Sequence, residues 1–124
     1  MRLEPLLYVS DLKKSIKFYA EVLGFKLGEL YPNQKNPTYA PILIGHCKLM
    51  LVAARETNKK FSPHGLGGSG VQFFIRADDV DKIYRRVKEK AVILDPIKTK
   101  SWGDREFTLK DLDGYLISFY SPTE

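Results

Sequence analysis

Few of the side chains in this 124-residue chain that could do chemistry are spaced to do it. The single cysteine, Cys47, begins a strand beside a turn and has no evident histidine–acid partner, so it reads as a small buried thiol rather than a nucleophile. One cysteine also rules out an intrachain disulfide. Neither histidine belongs to a ligand pattern: His46 falls in a hairpin turn and His64 in a glycine-rich loop. Asp111 and Asp113 look like the start of a calcium loop, but the later ligands are missing and a turn accounts for both. The glycines of residues 65–70 precede a strand, whereas a phosphate loop must lead into a helix N-terminus. Arg105-Glu106 reads as a solvated charge pair with partners on neighbouring strands, or as an arginine turned toward an anionic ligand. Trp102, the only tryptophan, stands beside Gly103 at the mouth of a C-terminal hairpin. It is either an anchor for the core or sheet edge or a flat platform for a ligand.

The elements that must position these groups follow from periodicity and punctuation. Residues 3–9 form a short strand, confined by Pro5 to an edge or to one-sided pairing. Ser10 or Asp11 caps a helix from about Leu12 to Leu23, with Leu12, Ile16, Tyr19 and Leu23 inward and Gly24 as its stop. Strands are expected at Phe25 to Leu30, Tyr39 to Ile44 and Cys47 to Ala53, the last two joined by a hairpin turn at Gly45-His46. Residues 54–70 are polar, then glycine-rich, and mark a boundary. Beyond it the plan restarts: a strand at Val71 to Arg76, a helix at Asp79 to Lys90 and a weaker strand at Ile93 to Lys98. A hairpin follows, whose Asp111-Leu112-Asp113-Gly114 turn separates two alternating strands. Tyr8-Val9-Ser10-Asp11-Leu12 and Arg76-Ala77-Asp78-Asp79-Val80 match at an offset of 68 residues (79 − 11), each a strand end leading into a capped helix. Two similar modules, at about 1–60 and 66–124, sharing one domain over 1–124, are therefore expected.

With 44% hydrophobic and 28% charged residues the composition is ordinary for a globular chain. A net charge of +5 permits anionic partners, but the basic residues are dispersed and no nucleic-acid motif is present, so nucleic acid is disfavoured. Neither a signal-peptide stretch nor a membrane-spanning run is found, and the cytoplasm is the expected location with no membrane partner.

Val9-Ser10-Asp11-Leu12-Lys13-Lys14-Ser15-Ile16-Lys17-Phe18-Tyr19 followed by Leu23-Gly24-Phe25 resembles the N-terminal signature of the glyoxalase / bleomycin-resistance / extradiol-dioxygenase group, the vicinal oxygen chelate fold. Asp111 to Ile117 resembles its C-terminal turn, with Leu112 in place of the usual proline, and Trp102 to Phe107 resembles the bleomycin-binding members in particular. The resemblance implies an α+β fold of two βαβββ modules forming a curved mixed sheet around a crevice, and a homodimer. Metal-using members carry His, Gln or Glu at positions that fall here on Glu4, Gln72 and Ser118, with a fourth near Met50. Alternation places Glu4 with Leu6 and Tyr8, Gln72 with Phe74, and Ser118 with Leu116 and Tyr120.

Only Glu4 of that set suits a hard divalent ion, so no metal or other cofactor is expected. Metal-free members hold a flat heteroaromatic group between aromatic side chains, which the resemblance puts at Trp102 and Tyr39. The implied function is sequestration of a small planar organic ligand, with Trp102, Tyr39, Gln72, Glu4, Ser118, Phe74 and Arg105 as site residues and no catalytic group. Because bleomycins are cationic, the positive net charge argues against that named drug; Glu4, Asp104 and Glu106 are the acidic groups left to offset it. Two other readings stay open: a metal-dependent enzyme with an unusual ligand set including Glu4 and Gln72, and a basic domain for nucleic acid or an acidic partner.

Overall fold

The computed structural model describes residues 1–54 and 70–123. The glycine-rich stretch, His64 included, lies outside the described residues. The chain divides between Gly67 and Gly68 into two compact units.

The first unit runs β1 (Leu6–Val9), α1 (Leu12–Lys17), a π-helical turn (Phe18–Val22), β2 (Lys26–Leu27), β3 (Tyr39–Ile44) and β4 (Cys47–Ala53). The second runs β5 (Gln72–Arg76), α2 (Val80–Val87), β6 (Val92–Thr99), β7 (Asp104–Lys110) and β8 (Leu116–Pro122). Each is a βαβββ module whose four-stranded mixed sheet has the first strand parallel to the last: β1-β4-β3-β2 and β5-β8-β7-β6. The internal repeat extends to register. Leu6 pairs with Met50, and Phe74 with Ser118, each partner displaced by the same 68 residues (74 − 6 and 118 − 50).

Both helices start on the same device. Asp11 accepts a hydrogen bond from the Lys14 amide at 3.1 Å, and Asp79 accepts one from the Lys82 amide at 3.1 Å. Each satisfies an amide that the helix itself leaves without a partner. Ser121 adds a tie from β8, receiving the Val80 amide at 3.2 Å and donating to the Ala77 carbonyl at 2.6 Å. The turn after β7 is held by Asp111, which is buried and whose Oδ1 accepts the amides of Asp113 at 2.9 Å and Tyr115 at 2.8 Å. Gly114, at φ 87°, completes it with a conformation that costs a side-chain-bearing residue strain.

Alternation assigns the two faces of each sheet. In the first unit Leu7, Val9, Ala40, Ile42, Leu49 and Leu51 are buried, while Leu6, Tyr8, Met50 and Val52 occupy the other face. In the second, Tyr84 of α2 meets Phe107 edge-on at 5.0 Å, and Phe107 stacks on Phe119 at 5.4 Å, so this is the helix side. Glu106, Thr108, Ser118 and Tyr120 then fall on the opposite side, which we call the open face.

The structure departs from the sequence reading at several points. The first helix is α-helical only to Lys17; the wider turn, closed by the Leu23 amide on the Phe18 carbonyl at 3.0 Å, admits an extra residue. Phe18 and Tyr19 are thereby both buried, in edge contact at 5.5 Å, and Ile16 is only half-buried. The second helix ends at Val87 rather than Lys90, and β1 starts at Leu6 rather than Leu3. The strand expected from Phe25 to Leu30 shrinks to two residues, after which Gly28 donates to the Pro41 carbonyl at 2.9 Å. A Cβ there would sit 2.7 Å from Pro41 Cγ, so this approach requires glycine. The weak strand candidate is a full eight-residue β6, able to contain Pro96 because it is the sheet edge. Cys47 is exposed rather than buried, since it sits beside the Gly45-His46 turn at the tip of the β3–β4 hairpin.

Because both caps are single, locally satisfied contacts, Asp11→Ala and Asp79→Ala should each lower unfolding stability by about 1 kcal/mol in urea titrations.

Candidate functional site

The open face of the second unit is built as rungs across three strands. Counting from the β6–β7 turn, Glu106 pairs with Tyr120 and then Arg76, Thr108 with Ser118 and then Phe74, and Lys110 with Leu116 and then Gln72. Alternation puts Gln72 and Phe74 on one face of β5, and the parallel pairing of β5 with β8 sets Ser118 beside Phe74 on that face. Their chemistry is mutual: the Gln72 amide donates to Ser118 Oγ at 2.7 Å, and Ser118 Oγ lies 2.6 Å from Thr108 Oγ1. Ser118 is 0% exposed. Thr108, which the sequence reading did not single out, completes this row; its place directly opposite Ser118 in the hairpin was the available signal. Phe74 is exposed and meets Tyr120 edge-on at 6.2 Å.

Trp102 projects from the turn between β6 and β7 and is 65% exposed, so it is not a core anchor. Gly103, at φ 99°, makes the turn, and its amide donates to the Lys100 carbonyl at 2.9 Å. Lys100 Nζ stands 6.0 Å from the indole centroid and is ion-paired with Asp95. The pair leaves the aromatic surface beyond Lys100 open to a flat partner.

Arg105 is placed away from this face. Its guanidinium grips Asp81 on α2 at 3.0 Å and 3.3 Å, on the helix side of the sheet. The expected Arg105-Glu106 surface pair is therefore corrected. Adjacent residues of a strand point to opposite faces, so arginine goes to the helix and glutamate to the open face. Arg105 thus ties β7 to α2.

In the first unit Tyr39 begins β3, half-buried, opposite Val52 and on the rung that continues to Tyr8. Glu4 precedes β1. Its carboxylate is held by Arg2 at 2.6 Å and by Lys48 at 3.4 Å.

These donors do not fit a divalent metal. Glu4 is already matched with two cations, and Met50 offers only a thioether. The Gln72 amide nitrogen and the Thr108 hydroxyl both engage Ser118 Oγ, and a serine hydroxyl and a lone glutamine amide oxygen are poor ligands for a hard divalent ion. Among the described residues no three His, Cys, Asp or Glu side chains gather. A catalytic divalent site needs about three good protein ligands.

The charge pairs hold several carboxyls below their ordinary range. The Arg105 hydrogen bond does so for Asp81, the Lys100 hydrogen bond for Asp95, and the Arg2 hydrogen bond for Glu4. A depressed carboxyl contributes stability above its ordinary range, and that contribution is lost as pH falls.

Comparison with known proteins agrees with this architecture. The profile of the Glyoxalase/Bleomycin resistance protein/Dioxygenase superfamily matches residues 3–119. The chain is 32% identical to the uncharacterized protein YraH of Bacillus subtilis (strain 168), with 95% of each covered. It is 29% identical to a bleomycin resistance protein of Geobacillus stearothermophilus, covering 94% of this chain and 92% of that one. The solved structure of TnmS3, an antibiotic binding protein from Streptomyces sp. CB03234, superimposes with a TM-score of 0.75 at 28% identity, over 99% of this chain and 96% of that one. Among the described residues no helix is long and apolar enough to cross a membrane.

Two outcomes test the energetics. Ser118→Ala should cost about 1–3 kcal/mol, because it strands the Thr108 hydroxyl in a buried row. The melting temperature should hold above pH ~5 and fall below pH ~4, and Asp81→Asn should make that fall shallower.

Proposed function

The chain belongs to the Glyoxalase/Bleomycin resistance protein/Dioxygenase superfamily, and from that premise we propose that it binds and sequesters a small planar organic molecule rather than transforming one. One observation carries this reading. At Gln72 and Ser118, where the resemblance sets the positions of metal ligands, the side chains are closed into a hydrogen-bonded row with Thr108. Such a row orders a surface without offering an electrophile, and metal-assisted chemistry depends on one.

Two further features support it. Trp102 is exposed on a turn held by Gly103, as a stacking surface must be, and Phe74 is an exposed aromatic on the open face of the same sheet. The relatives include a bleomycin resistance protein and an antibiotic binding protein. Trp102 and Tyr39 are the aromatic contacts in this proposal, Gln72 and Phe74 supply polar and apolar contacts, and the working form is a homodimer of one-domain chains. An antibiotic bound in this way is withheld from its target, which is resistance without catalysis.

Trp102 is the sole tryptophan, so its fluorescence reports directly on the site. Titration with a panel of planar antibiotics, bleomycin included, should give saturable quenching by at least one member. Trp102→Ala, followed by calorimetry, should weaken that ligand by about tenfold. Quenching by no member of the panel, or equal affinity in the variant, would sink the Trp102-centred reading. A purified protein that keeps one divalent ion per chain would favour the metal-dependent alternative.

A further inference from the structure

Lys100 is placed unlike the other lysines of the second unit. Lys82, Lys88, Lys90, Lys98 and Lys110 are exposed, whereas the Lys100 side chain is only 10% exposed. A lysine so far withdrawn from water is ordinarily paired. Its partner is Asp95, which also draws the Lys98 ammonium at 3.7 Å. Asp95 pairs with Thr108 and Lys98 with Glu106, so both belong to the open face of the sheet. Alternation from Lys98 carries Lys100 to the same face.

Trp102 follows two residues later, with Lys100 Nζ 6.0 Å from its ring centroid. The Lys100 backbone closes the turn that carries the indole. Its amide donates to the Asp104 carbonyl at 2.7 Å, and its carbonyl accepts the Gly103 amide at 2.9 Å. Just beyond β8 the Thr123 amide donates to the Gly103 carbonyl at 3.2 Å, and the Thr123 hydroxyl donates to the same oxygen. With the turn fastened in this way, the freedom left to Trp102 is rotation of its own side chain. A ring free to rotate must be ordered when a ligand stacks on it, at a cost in affinity. A cation on one face of an indole limits that rotation, because the attraction is lost as the ring turns its edge to the charge.

We propose that Lys100, anchored by Asp95, is a positioning residue for the ligand site: it backs one face of Trp102, orders the indole before a ligand arrives, and leaves the other face for stacking. This rests on the binding reading and adds what prepares its central side chain. An exposed tryptophan without such a backing would sample several rotamers. The tryptophan then offers a single face, already ordered by a lysine that does not itself touch the ligand.

Time-resolved fluorescence anisotropy of Trp102, the sole tryptophan, tests this without any ligand. In the wild type the indole should turn with the whole chain. Lys100→Met, which keeps an apolar stem and removes the charge, should raise the amplitude of sub-nanosecond motion about threefold. Lys100→Arg should return it to near the wild-type value, since a guanidinium can serve both Asp95 and the ring. Asp95→Asn, which leaves Lys100 but removes its anchor, should loosen the ring as well. Acridone, a neutral flat probe, should bind Lys100→Met about fivefold more weakly than wild type, and Lys100→Arg to within about twofold of it. A lysine that only stabilised the fold would lower the melting temperature without this pattern of loss and rescue. A wild-type indole as mobile as that of Lys100→Met, or an acridone affinity unchanged in that variant, overturns the positioning role and leaves binding at Trp102 standing. Failure of the wild type to bind acridone counts against the binding reading instead, and the anisotropy then decides the role of Lys100 by itself.

Discussion

Each unit depends on a parallel pairing between its first and last strands, β1 with β4 and β5 with β8. These pairings join residues more than forty positions apart, such as Leu6 with Met50 and Phe74 with Ser118. A parallel pair cannot be closed by a tight turn, so the helix and the remaining strands of the module must span it. That requirement fixes which side of each sheet the helix covers. It leaves the opposite side, with its alternate residues, as the surface on which a site can be made.

The second unit uses both sides of β7 for different ends. Toward α2 it presents Arg105 and Phe107, which bind the helix by charge and by ring packing. Toward the open face it presents Glu106 and Thr108. The strand is thus held from behind by an ion pair and by ring packing, which is how a surface group keeps a defined position. The hydroxyl row of Thr108 and Ser118 extends the same order to β8.

Features that depend on a few consecutive residues were legible in the sequence. The first helix's cap at Asp11, expected there or at Ser10, the Asp111 turn and the Gly45-His46 hairpin all rest on local hydrogen bonds or local φ, whereas Asp79, expected as the first residue of its helix, is that helix's cap. The shared face of Gln72, Phe74 and Ser118 was legible too, because alternation is local and the family resemblance supplied the pairing of strands. What failed to show was decided across strands or between layers. The extra residue at Phe18–Val22 depends on burying two adjacent aromatics, which a regular period cannot describe. Arg105 found its partner on a helix 24 residues earlier (105 − 81), and Cys47 is exposed because its hairpin ends in the open. The burial of Glu106 was hidden for the same reason: a Glu after an Arg reads as surface until the sheet assigns them opposite sides.

The 68-residue repeat has a consequence for how the two modules have been free to differ. Strand positions that face the helix keep the same character in both copies: Leu7 answers to Ile75, Leu49 to Ile117 and Leu51 to Phe119; so do the buried residues that open the helices, Leu12 and Val80. Positions on the other side do not. Leu6 answers to Phe74, Tyr8 to Arg76, Met50 to Ser118 and Val52 to Tyr120. Packing a helix imposes one demand on both halves, whereas a surface imposes none until something binds there. The two halves therefore share a scaffold and have parted in vocabulary, the first remaining oily and the second acquiring hydroxyls, charge and exposed rings. Each unit keeps the same backbone plan, and the open faces of the two are unlike.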